Sequence, residues 1–157
     1  MPLDVSHLSF PSPIGALTLF AERGSIIVIE AGRVPDSIEN DPLLNEARDQ
    51  LNAYFDAKLT TFDLPVAPAG PPRRRKIWEA MAKIPYGTTL SYGEFAAEMK
   101  SSARAIGGAC GANPIPIVLP CHRVLAADGK MGGFSFANGA ETKRQLLQLE
   151  GALETFI

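Results

Sequence analysis

One stretch of this 157-residue chain gathers groups that could do covalent chemistry: Asn113-Pro-Ile-Pro-Ile-Val-Leu-Pro-Cys-His-Arg123. Residues 115–119 are apolar enough to be buried, and they deliver Pro120, Cys121, His122 and Arg123 in direct succession. Thiolate, not thiol, is the nucleophilic form of cysteine, and cationic neighbours favour it. A cysteine beside a histidine and an arginine is therefore a candidate nucleophile with a base at hand. The same residues allow a second reading, because a free cysteine often behaves as a small buried hydrophobe. Cys110 has no such neighbours and lies among small residues, where packing is the expectation. With 2 Cys and 2 His (His7 and His122), the chain has no disulfide framework and no C-x-x-C metal spacing, so neither metal nor cofactor is expected.

Helical patterns surround this stretch. Ser91-Tyr-Gly-Glu94 fits a capping box that opens a helix to about residue 100. Ser102 is a cap for residues 103–112, which include Gly107, Gly108 and Gly111. Interior glycine costs roughly 1 kcal/mol relative to alanine, so this helix accepts a penalty for a nearly bare surface. A bare surface admits close approach, either of a neighbouring helix or of a nucleic-acid groove. The two helices together form a helix-turn-helix pattern. Residues 73–83 carry Ile77, Trp78, Met81 and Ala82 on one helical face, and Asn138 is a cap candidate for a last helix with Leu146, Leu147 and Leu149 inward.

The first third reads differently. Residues 8–10, 16–21 and 26–30 are short apolar runs, and Arg23-Gly24 suits a tight hairpin turn. Asp41-Pro42 opens a helix whose apolar face is Leu43, Leu44, Ala47, Leu51, Tyr54 and Phe55. Residues 61–66 look extended. Pro65-Val-Ala-Pro-Ala-Gly-Pro-Pro72 then reads as a linker, because proline removes donors and restricts its neighbours. The expected domains are 1–70 and 71–157.

Charge supports that division. The formal net charge is −2, which by itself argues against a nucleic-acid binder. Residues 1–70 hold 4 basic and 10 acidic side chains, a net of −6, whereas residues 71–157 hold 11 and 7, a net of +4. Such asymmetry points to nucleic-acid or membrane contact by the basic half. A hydrophobic fraction of 46% excludes global disorder. The N-terminus lacks a signal-peptide pattern, and no apolar run approaches the ~20 residues needed to span a bilayer. The expectation is a monomeric cytoplasmic protein with no membrane partner.

The Asn-Pro-Ile-Pro and Pro-Cys-His-Arg-Val elements resemble the active-site signature of the O6-alkylguanine-DNA alkyltransferases, also called methylated-DNA–protein-cysteine methyltransferases. Ser12-Pro-Ile-Gly15, Tyr54-Phe55, Ile84-Pro-Tyr-Gly87, Ser91-Tyr-Gly93, Ala105-Ile-Gly-Gly108 and Leu146-Leu-x-x-Glu-Gly151 follow the family's order and spacing. The resemblance covers almost the whole chain. It implies an α+β fold: a small N-terminal antiparallel sheet with a helix (a ribonuclease H-like lobe), then a helical, winged helix-turn-helix-like domain.

It also implies an activity. Such proteins flip O6-alkylguanine out of double-stranded DNA and move the alkyl group irreversibly onto a cysteine, here Cys121. By resemblance, His122 takes the thiol proton through a water, Glu150 orients His122, and Tyr92 assists the leaving base. The recognition helix enters the minor groove, with Ser91, Ala103, Arg104, Ala105, Gly107 and Gly108 on the DNA-binding face and Arg104 filling the stack. Asn113, Pro116, Val124, Phe134, Ser135 and Phe136 are assigned to the substrate pocket, and Arg123 to a structural salt bridge. No cofactor is implied, and repair of O4-alkylthymine is left open.

Three departures stand out. Gly132-Gly-Phe-Ser-Phe-Ala-Asn-Gly-Ala-Glu141 is about two residues longer than the usual loop, and Phe134 replaces a tyrosine. Arg73-Arg-Arg-Lys76 stands where an apolar anchor is common, and its expected role is a solvated helix start, with a phosphate contact the less favoured alternative. The zinc ligands of some relatives are missing. The lengthened 134–140 loop keeps a second reading open, a module that recognises alkylated DNA but limits or blocks transfer. A cysteine hydrolase fits less well, since no oxyanion loop is evident. The modest positive charge of the second half predicts a shallow salt dependence of DNA binding.

Overall fold

The computed structural model describes residues 5–38, 40–132 and 134–153, apart from the side chain of Asp128. Two compact units, Met1–Ala69 and Gly70–Ile157, make up the chain.

In the first unit, β1 (Ser6–Phe10), β2 (Leu17–Glu22) and β3 (Ser25–Ala31) form an antiparallel meander in that order. Arg23 (φ 51°) and Gly24 (φ 78°) close the β2–β3 hairpin between the paired residues Glu22 and Ser25. Positive φ at both positions is what a two-residue type I′ turn requires. Leu8 lies opposite Leu19 and Phe10 opposite Leu17, so the alternating apolar residues share one face. That face is covered by α1 (Pro42–Phe55), which buries Leu44, Ala47, Leu51 and Tyr54. Asp41 caps α1 as expected, its Oδ1 accepting from the Leu43 and Leu44 amides at 2.9 and 3.1 Å. The extended segment expected at 61–66 pairs only at Val66, in an isolated parallel bridge to Ile26.

The second unit is mainly helical. It comprises α2 (Pro72–Met81), β4 (Leu90–Ser91), α3 (Tyr92–Met99), α4 (Ala103–Gly111), β5 (Val124–Leu125) and α5 (Ala140–Leu149). Ser91 and Glu94 form the capping box in full, and Ser102 Oγ accepts from the Ala105 amide at 3.0 Å. Between α3 and α4 the chain reverses through Lys100, held in the left-handed region (φ 53°). The helix-turn-helix is therefore α3–α4. β4 and β5 pair in parallel, Leu90 with Val124 and Ser91 with Leu125, which ties the start of α3 to the segment after Cys121.

Two boundaries differ from expectation. The first helix of this unit stops at Met81, and the Lys83 and Ile84 amides close tighter turns before Pro85. Asn138 does not cap α5: Gly139 (φ 62°) holds that position, and the Asn138 amide instead donates to Thr142 Oγ1 at 2.9 Å. A capping side chain must sit at the residue just before the first helical turn, and the turn closed by the Gly139 amide on Phe136 O puts Gly139 there instead. Among the described residues, no helix is long and apolar enough to cross a membrane.

Trp78 anchors this unit. Its indole N–H donates to Ala109 O at 2.8 Å, docking α2 against α4, and a Cβ on Gly70 would stand 2.7 Å from the ring. The hydrogen bond keeps the ring from retreating, so Gly70→Ala should destabilise the protein by about 1–3 kcal/mol through overpacking. Urea denaturation with tryptophan fluorescence checks this; an unchanged midpoint would show that the ring has room to move.

Candidate active site

The path from α4 to Cys121 is set by Asn113. Its Nδ2 donates to Leu119 O at 2.7 Å, and its Oδ1 accepts from the Ile115 amide at 2.9 Å. One side chain thus closes the loop 113–119, whose Ile115, Ile117 and Leu119 are buried. Ile117 sits at φ 75°. A β-branched residue there stores strain of order 1–3 kcal/mol, tolerable only where the surroundings over-determine the backbone. Nothing in the sequence signals it.

Cys121, His122 and Arg123 form a single 3₁₀ turn. With three residues per turn, successive side chains leave the axis about 120° apart. The three groups that are adjacent in sequence therefore diverge. Cys121 is 4% exposed and His122 is fully enclosed. His122 Nε2 lies 2.7 Å from Glu150 Oε2, at the end of α5. Arg123 takes the same carboxylate, Nε to Oε1 at 2.8 Å and Nη2 to Oε2 at 3.1 Å, and its Nη1 donates to Ile84 O at 2.6 Å.

Arg123 makes the structural salt bridge that the resemblance implies. The cationic setting expected from its place beside Cys121 is not delivered by Arg123, because its charge is matched by Glu150. The Cys121 thiol is pushed up from its ordinary value by burial, while the Asn113 hydrogen bond and the charge of Lys143 act the other way but more weakly. Cys121 is thus held as a protonated thiol, and acting as a nucleophile would require loss of that proton. Cys110, beside it in the same charge field, is pushed up to about 12 by burial and matches the packing role expected of it.

His122, the candidate base, follows Cys121 directly in the same turn. Burial lowers the pKa of His122, outweighing the hydrogen bond and charge of Glu150. A carboxylate only accepts, so the neutral imidazole carries its proton on Nε2 and leaves a lone pair on Nδ1. Nδ1 is buried and has no hydrogen-bond partner among the described residues.

Lys143 is the functional residue that sequence reasoning missed. It is fully enclosed, and its ammonium donates to Val124 O at 2.7 Å and to Met131 O. It also lies 5.9 Å from the Tyr92 ring centroid and 5.8 Å from that of Phe134. The readable signal was its position three and four residues before Leu146 and Leu147, on the buried face of α5. Burial lowers its pKa, against the pull of the two cysteines.

Around this lysine several expected pocket residues meet. Tyr92 opens α3, and its hydroxyl packs so closely on Gly132 that a Cβ there would be 2.8 Å away. Phe134 and Phe136 form an edge-to-face pair with centroids 6.4 Å apart, and the Gly139 amide closes the loop on Phe136 O at 3.0 Å. Ser135 is exposed, Val124 is buried beneath Lys143, and Pro116 is buried in its bridge to Leu119. On α4, Ile106 and Ala109 face inward, and Ala103, Arg104 and Gly108 are exposed. Ala105 and Gly107 are half-buried, and a Cβ on Gly107 would meet nothing within 4 Å. Ser91, the α3 cap, is half-buried.

Known proteins share this organisation. Residues 72–152 match the family model of the 6-O-methylguanine DNA methyltransferase DNA binding domain, and residues 7–68 that of its ribonuclease-like domain. A methylated-DNA–protein-cysteine methyltransferase of Methanosarcina acetivorans is 40% identical over 152 residues, covering 91% of this chain and 96% of the relative. The crystal structure of the Mycobacterium tuberculosis O6-methylguanine methyltransferase superposes with a TM-score of 0.81 at 39% identity, covering 94% of this chain and 93% of the other. A crystal structure of Mycobacterium tuberculosis OGT in complex with DNA gives 0.80 at the same identity and coverage.

Two predictions concern the ion cluster. Glu150→Ala leaves Arg123 buried without its partner and should cost about 3–5 kcal/mol in urea denaturation, with Glu150→Gln costing less. Stability should also fall as pH drops. His122 stays neutral in the folded state, whereas the unfolded imidazole takes a proton below its ordinary value of 6.5. The unfolded chain then binds more protons, so stability contributed by His122 is present above that value and declines below it, by at most about 1.4 kcal/mol per pH unit. Denaturation midpoints that stay flat between pH 7.5 and 5.5 would contradict the buried neutral imidazole.

Proposed function

This chain belongs to the 6-O-methylguanine DNA methyltransferase family, and from that membership we propose that it repairs DNA by taking the alkyl group of O6-alkylguanine onto Cys121. One observation carries the assignment of roles: the buried Glu150–His122 pair fixes the imidazole tautomer and leaves Nδ1, on the residue next to Cys121, with no partner among the described residues.

The chemistry follows from that geometry. Cys121 is almost wholly enclosed, so a base in duplex DNA can reach it only by leaving the stack. Sγ attacks the alkyl carbon in line, forming the S–C bond as the C–O6 bond breaks. The thiol proton passes to His122 Nδ1 across one water, and Glu150 stabilises the imidazolium that forms. Negative charge leaves with the guanine, and the Tyr92 hydroxyl assists it by supplying a proton at N3. Lys143 keeps positive charge near the sulfur and holds Met131 and Val124 in place as the thiolate develops. The product is a thioether. It has no acidic proton and is a poor leaving group, so each chain acts once.

The bare face of α4, with Arg104 in its first turn, is the surface proposed to lie in the minor groove, where small residues let the backbone approach. Residues 134–136 form one wall of the proposed alkyl pocket. We place the protein in the cytoplasm as a monomer, where reducing conditions keep Cys121 free.

Incubation with a duplex containing O6-methylguanine should add about 14 Da, a methyl group replacing the thiol hydrogen, in a single event per chain. Intact-mass analysis and peptide mapping should place it on Cys121 and find none on Cys121→Ala. His122→Ala should slow transfer by roughly 10²–10⁴-fold. Tight lesion binding with no mass change would assign the chain to recognition without transfer.

A further inference from the structure

The run Arg73-Arg74-Arg75-Lys76 lies outside the alkyl-acceptor pocket, in the first turns of α2, and all four side chains are exposed. Among the described residues, none of the four side chains forms a hydrogen bond or an ion pair. Four adjacent cations without partners repel one another, and their mutual repulsion is relieved by an external anion. Helix geometry separates their directions. At 100° per residue, Arg74 falls on the centre of the stripe that buries Ile77, Trp78 and Met81, and Lys76 falls on the opposite side.

That stripe is the one docked on α4 through the Trp78–Ala109 hydrogen bond. Arg74 therefore runs along α2 toward α4, and its Nη2 reaches within 4.0 Å of where a Cβ on Gly108 would stand. Gly108 is exposed and lies one turn, about 6 Å, beyond Arg104 on the same helical face. The bare face of α4 is thus bracketed by two cations, Arg104 from its own first turn and Arg74 from a different helix.

We propose that Arg74 is a DNA phosphate contact, extending the nucleic-acid-binding face from α4 onto α2. The proposal rests on the DNA-repair reading given above. Arg74 supplies affinity without sequence or lesion preference, since a phosphate is present at every step of the duplex. The absence of a side chain at Gly108 leaves the guanidinium fork open to the backbone it would bind. This contact makes the salt dependence of binding steeper than the modest net charge of the half would suggest.

The test uses the full chain carrying Cys121→Ala, so that no transfer complicates binding. Fluorescence anisotropy with a short undamaged duplex, at roughly 50 to 200 mM salt, gives the slope of log K against log salt. Arg74→Gln should flatten that slope by about 0.9, the value of one lost phosphate contact. It should also weaken damaged and undamaged duplexes by the same factor. Lys76→Gln, which removes the same charge from the opposite side of α2, should move the slope much less. An unchanged slope in Arg74→Gln, or an equal loss in Lys76→Gln, overturns the proposal. In the reactive protein, Arg74→Gln should raise the duplex concentration needed for half-maximal transfer and leave the rate at saturation unchanged. A parent chain that binds duplex but is indifferent to Arg74 sinks only this contact, whereas one that neither binds duplex nor gains mass sinks the DNA-repair reading itself.

Discussion

A single buried carboxylate, Glu150, joins parts of the second unit that are far apart in sequence. Its two oxygens receive Arg123 in a two-pronged contact and His122 in a third hydrogen bond, and Arg123 in turn holds the Ile84 carbonyl. The end of α5, the Cys121–Arg123 turn and the segment following α2 therefore depend on one charge cluster. Burying an ion pair is not in itself stabilising, because desolvation can cancel the attraction. What it provides is geometry: each partner is costly to leave unpaired, so the turn has one orientation, and that orientation decides which nitrogen of His122 carries the proton.

The cluster also divides labour between two buried cations. Arg123 is neutralised by Glu150 and serves architecture. Among the described residues Lys143 has no carboxylate partner; two carbonyls and two aromatic faces lie around it. A cation held by dipoles and ring quadrupoles keeps an attractive field for any negative charge developing nearby. The cysteine thiol, raised by burial, is thereby stable until a substrate arrives. A thiol kept protonated at rest resists oxidation better than a standing thiolate, which matters for an acceptor that can be used once.

Strain and bare surface complete the site. Ile117 is held in the left-handed region by the Asn113 bracket, and Gly132 yields its side-chain space to Tyr92. α4 gives up helix propensity at Gly107 and Gly108, and its docking on α2 through Trp78 offsets that cost. In each case a locally unfavourable choice sits beside a group that binds or reacts, as expected where local and global preferences conflict.

Local chemistry was legible in the sequence. The caps at Asp41, Ser91 and Ser102, the Arg23-Gly24 turn, the apolar face of α1 and the Cys-His-Arg segment are all set by interactions between residues a few positions apart. Periodicity and side-chain type are enough to read such interactions. The Asn138 cap failed because the turn between Phe136 and Gly139 puts Gly139 at the cap position. The long-range relations were decided by folding alone: Glu150 meeting His122 across 28 residues, Arg123 turned away from Cys121, Lys143 buried between Tyr92 and Phe134, and Arg74 laid along α4. Burial and hydrogen-bond partners set the protonation states of these groups. Neither exists until the chain closes on itself, which is why the sequence could name the nucleophile while only the tertiary structure determined how it is held ready.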